Sequence, residues 1–93
     1  MTDRQFVKQC IKISEEWGEI DQWTIGIRDW PDAARLCAEW LENELWERGY
    51  KTICDKQSCA VEGAGIDETI AEAHDKRAAL LSAAKALIEK ENQ

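Results

Sequence analysis

The sequence predicts an α+β domain in which a small three-stranded, mainly antiparallel sheet packs against helices in the order α-β-α-β-β-α. Two observations carry this reading. Long segments place apolar residues every three to four positions, and short segments between them alternate apolar and polar residues. With 93 residues, 44% of them hydrophobic and five of them Trp, the chain fits one domain over 1–93. That content is enough for a compact core without metal or disulfide support, although a chain this short buries only about 60% of its unfolded surface.

Thr2 and Gln5 have the spacing of a capping box, so a first helix is expected to begin there. Its apolar face would carry Phe6, Val7, Cys10, Ile11, Ile13 and Trp17, and Gly18 would end it. Gln22 to Arg28 reads QWTIGIR, in which Trp23, Ile25 and Ile27 alternate with Thr24, Gly26 and Arg28, the pattern of a half-buried strand. A second helix is expected from about Trp30 to Arg48, opened by Asp29 and Asp32 around Pro31 and closed at Gly49. Ala33, Leu36, Cys37, Trp40, Leu41 and Leu45 form its apolar arc. Glu44 falls inside that arc, and Trp46 falls outside it.

Tyr50 to Cys54 and Ser58 to Glu62 read as a hairpin that places Cys54 directly opposite Cys59. After the Gly63 and Gly65 break, Asp67 can cap a third helix running to about Glu91, with Ile70, Ala73, Leu80, Leu81, Ala84, Leu87 and Ile88 on one stripe.

The 19 acidic and 12 basic side chains leave a net charge of −7, which disfavours direct nucleic-acid binding and adhesion to an anionic membrane. No run of residues has the length and apolarity of a membrane span or a signal-peptide core, so a cytoplasmic location is expected, with the four Cys as thiols. Neither GxxxxGK[ST] nor GxGxxG is present, and Asp67 and Glu68 would repel a phosphate at the turn that precedes them. No catalytic motif is found, and neither an enzyme nor a bound cofactor is expected. The four Cys lack CxxC spacing. Cys54, Cys59 and His74 remain as the alternative reading, a small metal- or ligand-binding domain.

The charge is unevenly placed. Glu15 to Glu47 holds ten acidic and two basic residues, a balance of −8, together with all five Trp, while the rest of the chain stands at +1. On the second helix Glu39, Glu42 and Trp46 fall on one solvent-facing side with Arg35. Asp29, Asp32 and Glu47 lie close by. Carboxylates on successive turns sit roughly 5–6 Å apart, comparable with backbone phosphates, and Trp is the residue most often found as an interface hot spot. Asp29, Asp32, Glu39, Glu42, Trp46 and Glu47 are therefore the expected contact set for a protein partner with a basic surface, bound in the manner of a nucleic-acid mimic.

Glu72 to Glu89, EAHDKRAALLSAAKALIE, resembles the terminal helix of small bacteriophage and prophage proteins that carry segments such as ARLIAAAPELLEAL, with Lys85 at the position of their proline. The resemblance implies a phage-encoded accessory protein acting in the host cytoplasm. Inhibitors of host defence or nucleic-acid-processing complexes, anti-CRISPR proteins among them, are the functional class it suggests. A third expectation is a structural oligomer in which the C-terminal helix packs against its copy.

Overall fold

A computed structural model describes residues 1–18, 20, 25–63 and 68–92. Helix α1 (Asp3–Trp17) is followed by α2 (Trp30–Glu47), strands β1 (Tyr50–Cys54), β2 (Cys59–Gly63) and β3 (Thr69–Ala73), and helix α3 (Lys76–Glu91). The α+β class and the three-stranded antiparallel sheet, ordered β1-β2-β3, agree with the sequence reading. The position of one strand along the chain does not.

The first two predicted helix starts have the chemistry read from the sequence. Thr2 and Gln5 form the reciprocal capping box, with Gln5 N–H donating to Thr2 Oγ1 at 3.2 Å and Thr2 N–H to Gln5 Oε1 at 2.9 Å. Asp29 caps α2 by accepting from the Asp32 N–H at 3.0 Å, and Pro31 sits in the first turn, where a missing N–H is harmless. Gly18 and Gly49 follow the two helices at φ 76° and 92°, a backbone region that side chains with a Cβ rarely enter.

The expected strand at Gln22 to Arg28 is a correction where the structure describes it, its first three residues lying outside the described set. Ile25 and Gly26 are helical, and Arg28 N–H closes a turn onto the Ile25 carbonyl at 3.2 Å. Ile25 is buried, whereas Ile27 is 66% exposed, so the two do not share an inner face as strand alternation requires.

The third strand comes instead from Thr69–Ala73, which the sequence reading assigned to the start of a long C-terminal helix. Asp67, its expected cap, lies outside the described residues. Pairing overrides local propensity here, because the inner residues Cys59, Val61 and Gly63 of β2 are buried and its second edge would otherwise carry unpaired backbone groups. The pairing shifts register between Val61 and Glu62. Helix α3 then starts eight residues later than the expected cap suggests, capped by Asp75, which accepts from the Ala78 N–H at 3.1 Å.

Helix α3 packs across β2 and β3, α2 packs against β1 and α3, and α1 lies against both α2 and α3. Phe6, Val7, Cys10, Cys37, Leu41, Leu45, Val61 and Leu80 are the largest fully buried side chains. The apolar stripe of α3 is covered inside the chain: Ala79, Leu80, Leu81, Ala83, Ala84 and Leu87 are all buried. Among the described residues, no helix is long and apolar enough to cross a membrane.

Glu44 is buried in the arc where the sequence placed it, with 6% exposure. The Arg48 guanidinium satisfies it at 2.6 Å, lies 4.0 Å from the centroid of the Trp17 ring, and approaches Glu91 at 3.9 Å. One arginine thus joins the C-terminal ends of α1, α2 and α3. Removing it by Arg48→Met leaves a buried carboxylate without its partner and is expected to destabilise the fold by about 2–3 kcal/mol, while the added substitution Glu44→Leu should recover most of the loss. Urea unfolding of the two variants checks both halves; an unrescued double variant would contradict this role for the pair.

Candidate interaction surface

Helix α2 turns about 100° per residue, and its buried side is occupied by Ala33, Ala34, Cys37, Leu41, Glu44 and Leu45. That leaves Arg35, Glu39, Asn43 and Trp46 pointing to solvent, with Asp32 and Glu42 flanking them. Trp46 is 64% exposed. Glu39 stands two turns before it at nearly the same angle, and Glu42 is one turn before it, roughly 6 Å along the axis. The structure therefore brings Glu39, Glu42 and Trp46 onto one face, with exposed Glu47 next to Trp46. Asp29 sits apart, at the N-cap.

The electrostatics of this face differ from what its acidic composition suggests. Asp32 accepts from Arg28 at 2.7 Å and from Arg35 at 2.5 Å, and Arg35 also lies 3.7 Å from Glu39. Glu42 pairs with Lys76 at the start of α3 at 2.8 Å. Asp29 is engaged by the helix backbone. Of the six expected contact residues, only Trp46 and Glu47 have no polar or ionic side-chain contact among the described residues, and Glu39 has only the long contact to Arg35. Isolated exposed pairs contribute about 0–1 kcal/mol each, so their main effect is to cancel local charge.

Asp32 is held below the usual carboxylate range by its hydrogen bonds from Arg35 and Arg28. Since its pKa is lowered in the fold, the stabilisation is present above the unfolded-state value of about 3.9 and is lost as pH falls through the lower folded value. A carbon-detected NMR titration should show the Asp32 midpoint below that of a free aspartate, moving upward in Arg35→Ala. An unchanged midpoint in that variant would contradict the assignment.

A shallow groove at the start of α2 is lined by Ile27, Arg28, Asp29, Pro31, Asp32 and Arg35. Beside it Trp30 is 47% exposed, with the Arg4 guanidinium 5.7 Å from its ring centroid. Sequence reasoning missed Ile27 and Trp30 as exposed groups because each fits an apolar pattern when neighbours in space are ignored. It placed Arg35 on this face but missed the pairing of Arg28 and Arg35 with Asp32, although the three stand at the i,i+4 and i,i+3 spacings that bring side chains together on a helix.

The alternative site is a correction. Cys54 and Cys59 are joined by a disulfide, with Cα atoms 4.0 Å apart, so neither thiolate is free to bind a metal. The expectation that all four Cys are thiols holds only for Cys10 and Cys37, both buried. Hydrogen bonding to Cys37 and burial push the Cys10 thiol well above its ordinary pKa. The physical reason for the disulfide lies in the hairpin. Asp55 N–H donates to the Ser58 carbonyl at 2.9 Å, so the next pair outward, Cys54 and Cys59, is a non-hydrogen-bonded pair whose side chains approach most closely. His74 is in the turn between β3 and α3, not on a helical stripe, and its Nδ1 lies 3.3 Å from the Gln57 carbonyl. Among the described residues, no three Cys, His, Asp or Glu side chains converge as a metal site.

The fold and surface thus define a compact α+β domain with a mixed-charge, Trp-bearing helix face. Comparison with known proteins finds no matching family model, no matching curated protein and no matching solved structure.

Proposed function

We propose that the protein works by binding and not by catalysis, and that it docks a protein partner on the outer face of α2 with Trp46 as the anchor. The observation that carries this reading is the placement of Trp46: a large aromatic side chain, 64% exposed, held outward on a regular helix whose other side is locked into the core. Trp in such a position inserts into an apolar pocket at little conformational cost, and truncating a central Trp commonly removes about 2 kcal/mol or more of binding energy. Glu47 and Glu39, the least neutralised carboxylates beside it, favour a partner whose pocket has a basic rim. Asp32 and Glu42 contribute less than their charges suggest, because their partners are already within the chain.

An inhibitor that occupies a basic nucleic-acid groove of a host defence complex, the role implied by the sequence of α3, is one member of this class. The near-neutral face supports the general reading, a Trp anchor with a few carboxylates, more strongly than extended mimicry of a phosphate backbone.

Binding of the partner recovered by affinity capture on the wild-type chain provides the test. Trp46→Ala is expected to weaken it by about 30-fold with an unchanged melting temperature. Glu39→Lys with Glu47→Lys, which leaves the Lys76 contact of Glu42 intact, should weaken it several-fold and flatten its dependence on salt. If Trp46→Ala binds within twofold of wild type, the proposed face is wrong.

A further inference from the structure

We propose that Cys54 and Cys59 form a surface thiol–disulfide exchange site, with Cys54 as the sulfur that meets an incoming low-molecular-weight thiol and Cys59 as the sulfur that resolves the adduct. The bond joins the last residue of β1 to the first of β2, a sequence separation of only five. Cross-links over such short loops remove little freedom from the unfolded chain. The hairpin also closes without it. The Asp55 carboxylate accepts from the Gln57 and Ser58 N–H groups, both at 2.8 Å, and the register runs unbroken from Tyr50 opposite Gly63 to Cys54 opposite Cys59. A staple is not needed here, and a reversible bond can open without loss of the fold.

The two sulfurs are inequivalent. Cys54 is exposed, whereas Cys59 is 7% exposed and faces the core beside Val61 and Ala73. Access therefore directs an attacking thiolate to Cys54. The external thiolate forms a new S–S bond to Cys54 while the bond to Cys59 breaks, and Cys59 leaves as a thiolate that takes a proton from water. A second external thiol attacks the external sulfur of the mixed disulfide and releases Cys54, so the two electrons gained by the protein come from two thiols joined as one disulfide. In the reverse direction, Cys59 attacks the Cys54 adduct from the opposed strand. With Cα atoms 4.0 Å apart this step is intramolecular and outruns external competitors. Cys10 and Cys37, each 0% exposed, do not take part in the folded chain and serve as an internal control.

The probe is 5,5′-dithiobis(2-nitrobenzoate), added to the reduced, desalted, folded protein. Wild type is expected to release about two equivalents of thionitrobenzoate and to end with no adduct mass, because Cys59 displaces the second. Cys59→Ala should release about one equivalent and retain the adduct, and Cys54→Ala should release none on that timescale, though each reacts further once denatured. Circular dichroism of oxidised and reduced wild type should superimpose. The proposal fails if wild type keeps a stable adduct, a result that needs no variant to interpret. It also fails if Cys54→Ala reacts as fast as Cys59→Ala, or if reduction melts the sheet.

Discussion

Six side chains on the inner side of α2, Ala33, Ala34, Cys37, Leu41, Glu44 and Leu45, hold the rest of the structure in register. The two alanines, Leu41 and Leu45 are fully buried in the core that α2 shares with α1, α3 and β1, and Glu44 requires the arginine one turn later. Well-packed interiors resist rotation of a helix about its axis, since even a small turn would open cavities along the whole stripe. The Glu44–Arg48 pair adds direction to packing, because a buried carboxylate tolerates few positions of its partner. Once that side of α2 is fixed, the opposite side has no freedom: Glu39 and Trp46 must face water.

This constraint also organises the surface charge. Lys76 opens α3 against the flank of α2 and reaches Glu42, while Arg28 and Arg35 converge on Asp32. The excess of negative charge in the middle third of the chain is real in composition, yet the basic groups near it come from the preceding turn, from the helix itself and from a residue more than thirty positions later. What remains distinctive on the face is an aromatic group with a few carboxylates around it. The exposed end of the hairpin carries different chemistry, a bond open to exchange whose inner sulfur is backed by the core.

Local signals made much of the fold legible. Thr2 with Gln5, Asp29 with Pro31, and Gly18 and Gly49 mark helix ends through hydrogen bonds made within a few residues, and the Cys54 and Cys59 opposition follows from hairpin length alone. Thr69 to Ala73 was not legible, because its strand state depends on β2, whose free edge appears only in three dimensions; Asp75, two residues further on, was the overlooked signal for the true start of α3. Ile27 failed in the same way, its alternation with Ile25 being coincidental. For the candidate face, the outward angle of Trp46 could be read from helical period, whereas the neutralisation of Glu42 required the long-range contact to Lys76.

Site-specific photocrosslinking tests the docking claim most directly. With p-benzoylphenylalanine placed at Trp46 in one protein and at Ile53, on the outer face of the sheet, in another, the partner should be captured from position 46 and not from position 53. Capture from position 53 alone would place the binding surface on the sheet and contradict the account.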